Sequence, residues 1–88
     1  MKVQPVERNG IIIGYLMESP LTGDMYCFYN KESGEDTHWT FNGDYDEPTF
    51  RPSMLNIRTG EHFFVTNGKV QYLMANNSNI IMDMIDMD

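Results

Sequence analysis

The chain has 88 residues, 41% hydrophobic and 12% aromatic, with thirteen acids against six bases and a formal net charge of -7. Such a surface excludes direct binding to a nucleic-acid backbone, which takes clustered Lys and Arg. The single cysteine, Cys27, rules out an internal disulfide framework and fits a reducing compartment, and no apolar run approaches the ~18–20 residues of a membrane-spanning helix.

This length predicts one domain over residues 1–88, since domains run from about 50 to 250 residues. A chain so small buries only roughly 60% of its unfolded surface. One Trp, five Tyr, five Phe and eight Met supply the bulk for that thin core. Met1 to Arg8 has no apolar h-region, so the expectation is a protein without a signal peptide, soluble and cytoplasmic.

In chain order, Lys2 to Val6 predicts an edge strand that tolerates Pro5. Gly10 to Met17 is a β-branched apolar run bounded by glycine and predicts a second strand. Ser19 to Asp24 carries the Pro and Gly of a turn, and Met25 to Tyr29 predicts an antiparallel third strand. Asn30 to Asp36 is a polar loop. Thr37 to Phe41 predicts a strand with Trp39, Phe41 and Thr37 on the core face and His38 and Thr40 on the other. Asn42-Gly43 predicts a turn in which both residues accept positive φ. Pro48 and Pro52 bias Glu47 and Arg51 away from helix, so Asp44 to Arg51 reads as an ordered, extended connection.

Ser53 to Arg58 predicts a strand with Met54, and with less support Leu55, facing inward. After Thr59-Gly60, Glu61 to Val65 and Val70 to Met74 flank Asn67-Gly68, the strongest short hairpin signal in the chain. The tail from Ile80 to Asp88 reads as a last strand, with a short helix capped by Ser78 as the alternative. The whole predicts an all-β fold of six or seven mostly antiparallel strands, a sandwich or partly open barrel.

The stretch Trp39-x-Phe41-Asn42-Gly43-Asp44-x-x-x-Pro48-Thr49-Phe50-x-Pro52-Ser53-Met54-Leu55 resembles a family of small phage and prophage domains without established function. Genome annotation sometimes labels its members "ammonia monooxygenase". The likeness continues through His62-Phe63-Phe64-Val65-x-Asn67-Gly68-Lys69-Val70-x-Tyr72-Leu73, and it covers roughly half to two-thirds of the chain. Trp39, Phe41, Asn42, Gly43, Pro48, Phe50 and Pro52 form its structural core. That family carries Cys-Pro-x-Cys-Gly where this chain has Ser19-Pro20-Leu21-Thr22-Gly23. It carries Cys-His at Glu61-His62 and Asp-Cys-x-His at Ala75 to Ser78. The resemblance therefore implies that any zinc site of the family is absent here, with apolar burial expected to replace its stabilisation.

Three candidate chemistries arise from the residues. Asp44, Asp46 and Glu47 have the oxygen donors of a Ca²⁺ or Mg²⁺ site, but not EF-hand spacing; the plainer reading is a solvated turn closed by Asp44. His38 and His62 could join Asp44 or Glu61 in acid–base chemistry, although no Ser or Cys nucleophile lies in a recognisable elbow; the plainer reading is two strand histidines. Arg51 could clamp an anion, or pair with a neighbouring acid.

Taken together, the sequence predicts a non-enzymatic, acidic phage-type protein without metal or cofactor. It would act in the host cytoplasm, binding a basic host protein and inhibiting or modulating it, as an anti-CRISPR or anti-restriction protein does. Glu32, Glu35, Asp36, Asp44, Tyr45, Asp46, Glu47, Asp83 and Asp86 are its expected contact residues. The alternatives are a metal- or ligand-binding domain or hydrolase-like enzyme using His38, Asp44 and His62, and a self-associating structural protein, for which exposed sheet edges allow a homodimer.

Overall fold

A computed structural model describes residues 1–74, 76 and 78–87. The described residues form eight strands in two antiparallel sheets. The first sheet holds β1 (Gln4–Arg8), β2 (Ile11–Glu18) and β3 (Met25–Tyr29) in sequence order. The second holds β4 (Thr40–Phe41), β5 (Phe50–Asn56), β6 (Glu61–Thr66), β7 (Lys69–Leu73) and β8 (Asn79–Asp83). A short 3-10 turn, Lys31–Ser33, lies between them. The sheets pack as a sandwich and do not close into a barrel.

Period-two alternation decides which residues meet between the sheets. Met17, Tyr26 and Phe28 from the first face Phe50, Met54, Phe63, Val65, Val70 and Tyr72 from the second. Phe28 stacks on Phe50 at 4.1 Å and meets Trp39 edge-on at 5.5 Å. Rings in these arrangements gain about 0.5–1.5 kcal/mol beyond their area burial. Trp39 and Phe41, half-buried, therefore pack against the core as the alternation of their strand predicts, whereas Thr37, expected on the same face, is exposed.

The Asn67-Gly68 hairpin forms as expected, with both residues at positive φ and Thr66 opposite Lys69. A second turn of the same kind, Asn9-Gly10, joins β1 to β2, so β2 starts at Ile11 and not at Gly10 as expected. Gly68 is also pinned from outside. A Cβ there would meet Asp46 O and Glu47 Cα, each at 3.2 Å, on top of a φ of +77°. Gly68→Ala is expected to cost about 1–3 kcal/mol, read as a lowered urea midpoint; an unchanged midpoint would mean the 46–48 segment is not held against this hairpin.

Four expectations need correction. Only Thr40–Phe41 of the predicted third strand pairs in a sheet, because Trp39 N–H instead donates to Tyr29 O at 2.8 Å as the chain crosses between sheets. Asn42-Gly43 is not a tight hairpin turn, since only Gly43 has positive φ. Asn42 ties the loop through its side chain instead, accepting from Asp44 and Thr49 amides and donating to Glu47 O. β5 begins at Phe50, so Pro52 lies inside a strand, and Leu55 is 55% exposed. The tail forms strand β8 over Asn79–Asp83, and residues 84–87, expected to continue it, lie outside any strand.

Candidate functional site

β5 and β6 pair with Met54 opposite Phe63 and Leu55 opposite His62, but the register shifts between Phe50 and Met54. Arg51, Pro52 and Ser53 occupy that irregular stretch, with a cis bond between Arg51 and Pro52. Bulges re-aim side chains. Met54 faces the core, so Ser53 faces outward, as does His62 between core-facing Glu61 and Phe63. Diagonal neighbours on one sheet face lie within side-chain reach, and Ser53 Oγ sits 2.9 Å from His62 Nε2. With Nδ1 carrying the ring proton, Nε2 accepts from the hydroxyl. Trp39 Nε1 donates to Ser53 O at 3.2 Å and fixes the backbone beside it. Among the described residues, Ser53 is the only side-chain partner of His62. This is a serine–imidazole pair with no orienting carboxylate among the described residues.

The same alternation turns Glu61 inward, where it is 7% exposed. Its carboxylate accepts from Ser19 Oγ, from Tyr26 OH and from Thr22 Oγ1. Ser19 Oγ also lies 2.8 Å from Tyr72 OH, and Asn56 Nδ2 donates to Tyr26 OH. Burial pushes the Glu61 carboxyl up, but the hydrogen bonds from Ser19, Tyr26, Thr22 and Tyr72 together outweigh it and hold it below its ordinary value. Burial, together with the nearby Glu61 carboxylate, pushes Tyr72 up to about 12, so it remains a proton donor. Ser19, Thr22 and Glu61 stand at three positions where the phage-domain resemblance implies cysteines. The expected replacement by apolar burial is corrected here: a hydrogen-bonded carboxylate cluster holds this corner. A cleft of about 290 Å³ borders both groups, lined by Leu21, Thr22, Glu61, His62, Leu73 and Met74.

The other candidates are dispersed. His38 is exposed and lines a separate groove with Lys31 and Glu32. Asp44 Oδ1 accepts the amides of Asp46 and Glu47, which hold its carboxyl below the ordinary value. His38, Asp44 and His62 share no hydrogen bond, and among the described residues no group of three His, Cys, Asp or Glu is arranged to hold a metal ion. Arg51 does not pair with the acidic loop. It donates to Phe50 O, Val65 O and Thr66 Oγ1 and lies 5.2 Å from the Phe64 ring centre. Glu32, Glu35, Asp36, Asp46 and Glu47 are exposed, and Tyr45 packs half-buried against Tyr15 and Phe41. Asp83 pairs with Lys69, and Asp86 accepts from the Met1 amine at 3.0 Å. Asp88, Ala75 and Asn77 lie outside the described residues. Burial pushes the Cys27 thiol up, so it is no activated thiolate.

Ser53 was missed because no elbow sequence surrounds it. Glu61 had a signal: Glu61, Phe63 and Val65 share one face of an alternating strand.

Two of three comparisons return nothing: no curated protein and no solved structure matches the chain. The third is a family model, described as "Bacterial ubiquitination-like system serine protease (BubE)", which matches residues 23–73. That span contains β3 to β7, and with them both Ser53 and His62.

Proposed function

Because the chain belongs to the BubE family, we propose that it is a serine hydrolase of protease type, acting in a bacterial ubiquitination-like system through Ser53 and His62. The observation that carries this reading is the 2.9 Å contact between Ser53 Oγ and His62 Nε2. A serine hydroxyl is a weak nucleophile until an adjacent base takes its proton. In the acylation step Ser53 Oγ bonds to the substrate carbonyl carbon and its proton moves to Nε2. His62 then returns that proton to the leaving amine as the carbon–nitrogen bond breaks. Water, deprotonated by the same imidazole, releases the acyl group and restores the hydroxyl.

The acyl intermediate gives the test. With p-nitrophenyl acetate, the protein is expected to release one nitrophenolate per chain in a burst and to carry one acetyl group on Ser53 by peptide mass mapping. No burst and no acetyl group, in protein with native circular dichroism, would overturn the reading.

The binding reading keeps one supporting observation: Asp44, Asp46 and Glu47 are all exposed on one loop. Here the phage resemblance supplies the setting and the acidic loop steers a basic host protein. Asn at Asp44 keeps an oxygen for the Asp46 and Glu47 amides, so the triple change Asp44→Asn, Asp46→Asn, Glu47→Gln is expected to preserve circular dichroism. Under this reading it weakens host-protein capture at low salt; undiminished capture counts against it.

A further inference from the structure

β4 spans only Thr40–Phe41 and pairs with Phe50 and Arg51, so among the described residues the same side of β5 beyond Ser53 has no strand beside it. β3 is likewise an edge, paired on one side with β2. Between these two edges runs an open groove of about 660 Å³, lined by Met25, Cys27, Glu35, Asp36, Met54 and Asn56 among others. Trp39 closes it beside Ser53, where its indole holds Ser53 O.

Strand alternation sets which backbone groups face the groove. Tyr29 O points away from β2, to Trp39 N–H, so Met25 and Cys27 aim their N–H and C=O groups the same way. Ser53 O points away from β6, to the Trp39 indole, so Leu55 does likewise. Among the described residues, the main chains of Met25, Cys27 and Leu55 make no hydrogen bond outside the strand ladders. Both walls thus offer backbone donors and acceptors at strand spacing, which an extended peptide satisfies by strand addition. The charged residues lining the groove are Glu35 and Asp36, both exposed.

We infer that this groove binds the substrate as an extended peptide, added as a strand between β3 and β5, with a Lys or Arg side chain set against Glu35 and Asp36. The fate of that peptide rests on the hydrolase reading; its binding does not. Facing edges of three to five residues take a peptide segment of roughly 10–17 Å. Trp39, which lines the groove and bonds Ser53 O, marks the end nearest the pair, and neither Ser53 nor His62 lines the groove itself.

The test uses the intact protein, isotope-labelled, and two capped nine-residue peptides: valine alternating with lysine, and valine alternating with glutamate. The lysine peptide is expected to shift the amides of Met25, Cys27 and Leu55, slow their hydrogen exchange, and bind at least about tenfold more tightly than the glutamate peptide. Glu35→Lys with Asp36→Lys, both on the exposed loop, reverses that preference. Unmoved amides at these three residues, equal binding of both peptides, or an unchanged preference in the double variant would each overturn the inference. Peptide bound in the groove without an acetyl burst from p-nitrophenyl acetate removes the hydrolase reading and leaves the groove. A burst without peptide binding does the reverse.

Discussion

Ser53→Ala is expected to lower the rate of acylation by at least about 10³-fold, with His62→Ala costing nearly as much and the double variant scarcely more. The reason is that nucleophile and base act as one unit. Without the imidazole the hydroxyl keeps its proton, and without the hydroxyl the imidazole has nothing to activate. In triad enzymes such knockouts cost roughly 10⁴–10⁶ and are grossly non-additive. The lower figure expected here follows from the absence of an orienting carboxylate on His62 among the described residues, so less rate is at stake. Stability separates this effect from unfolding. The Ser53–His62 bond is half-buried, and losing it should cost no more than about 0.5–1.5 kcal/mol. Rates for the two single variants that multiply in the double variant would mean that the residues act independently and do not form a pair.

Glu61→Ala is expected to leave the protein largely unfolded at room temperature. The change strips the common acceptor from the hydroxyls of Ser19, Thr22 and Tyr26. Ser19 and Tyr26 are buried, and each buried hydroxyl left unpaired costs about 1–3 kcal/mol. At roughly 0.05–0.15 kcal/mol per residue, the whole domain is worth only about 4–13 kcal/mol. The sign of the pH effect follows from Glu61's depressed carboxyl. Folding favours its charged form, so its contribution is complete above the ordinary glutamate value of 4.5 and is lost as pH falls through the lower folded value. Glu61→Gln retains one acceptor but not the charge. Its urea midpoint should lie below wild type at pH 7, and the two should converge as the solution is acidified below the ordinary glutamate range. Curves that stay parallel would mean Glu61 is not charged in the folded protein.

Much of this architecture is legible in the chain because local chemistry and global fold agree. Asn67-Gly68 flanked by alternating apolar strands allows one short-range solution, and that hairpin forms. Pro48 and Pro52 keep residues 44–51 out of helix. Trp39 and Phe41 follow from alternation alone, although their strand is mostly a crossing between sheets. What the residues could not announce is the register shift beside Pro52. Bulges depend on how β5 pairs with β6, a property of two strands, and it is the bulge and that pairing which bring Ser53 to His62. Glu61 lay nearer to view, since its phase with Phe63 and Val65 puts it on the core face. Its partners Ser19 and Thr22, however, arrive from a turn some forty residues upstream. Net charge is visible in composition and points to the acid clusters, whereas a two-residue site is a matter of geometry.

If Ser53 is a nucleophile activated by His62, as proposed, an electrophile that traps active serines reads it out. Wild-type protein treated with a fluorophosphonate, then mapped by peptide mass spectrometry, should carry one adduct, on Ser53, whose formation slows at least about 10³-fold in His62→Ala. An unlabelled Ser53 in folded protein, or labelling that proceeds as fast without His62, would contradict it.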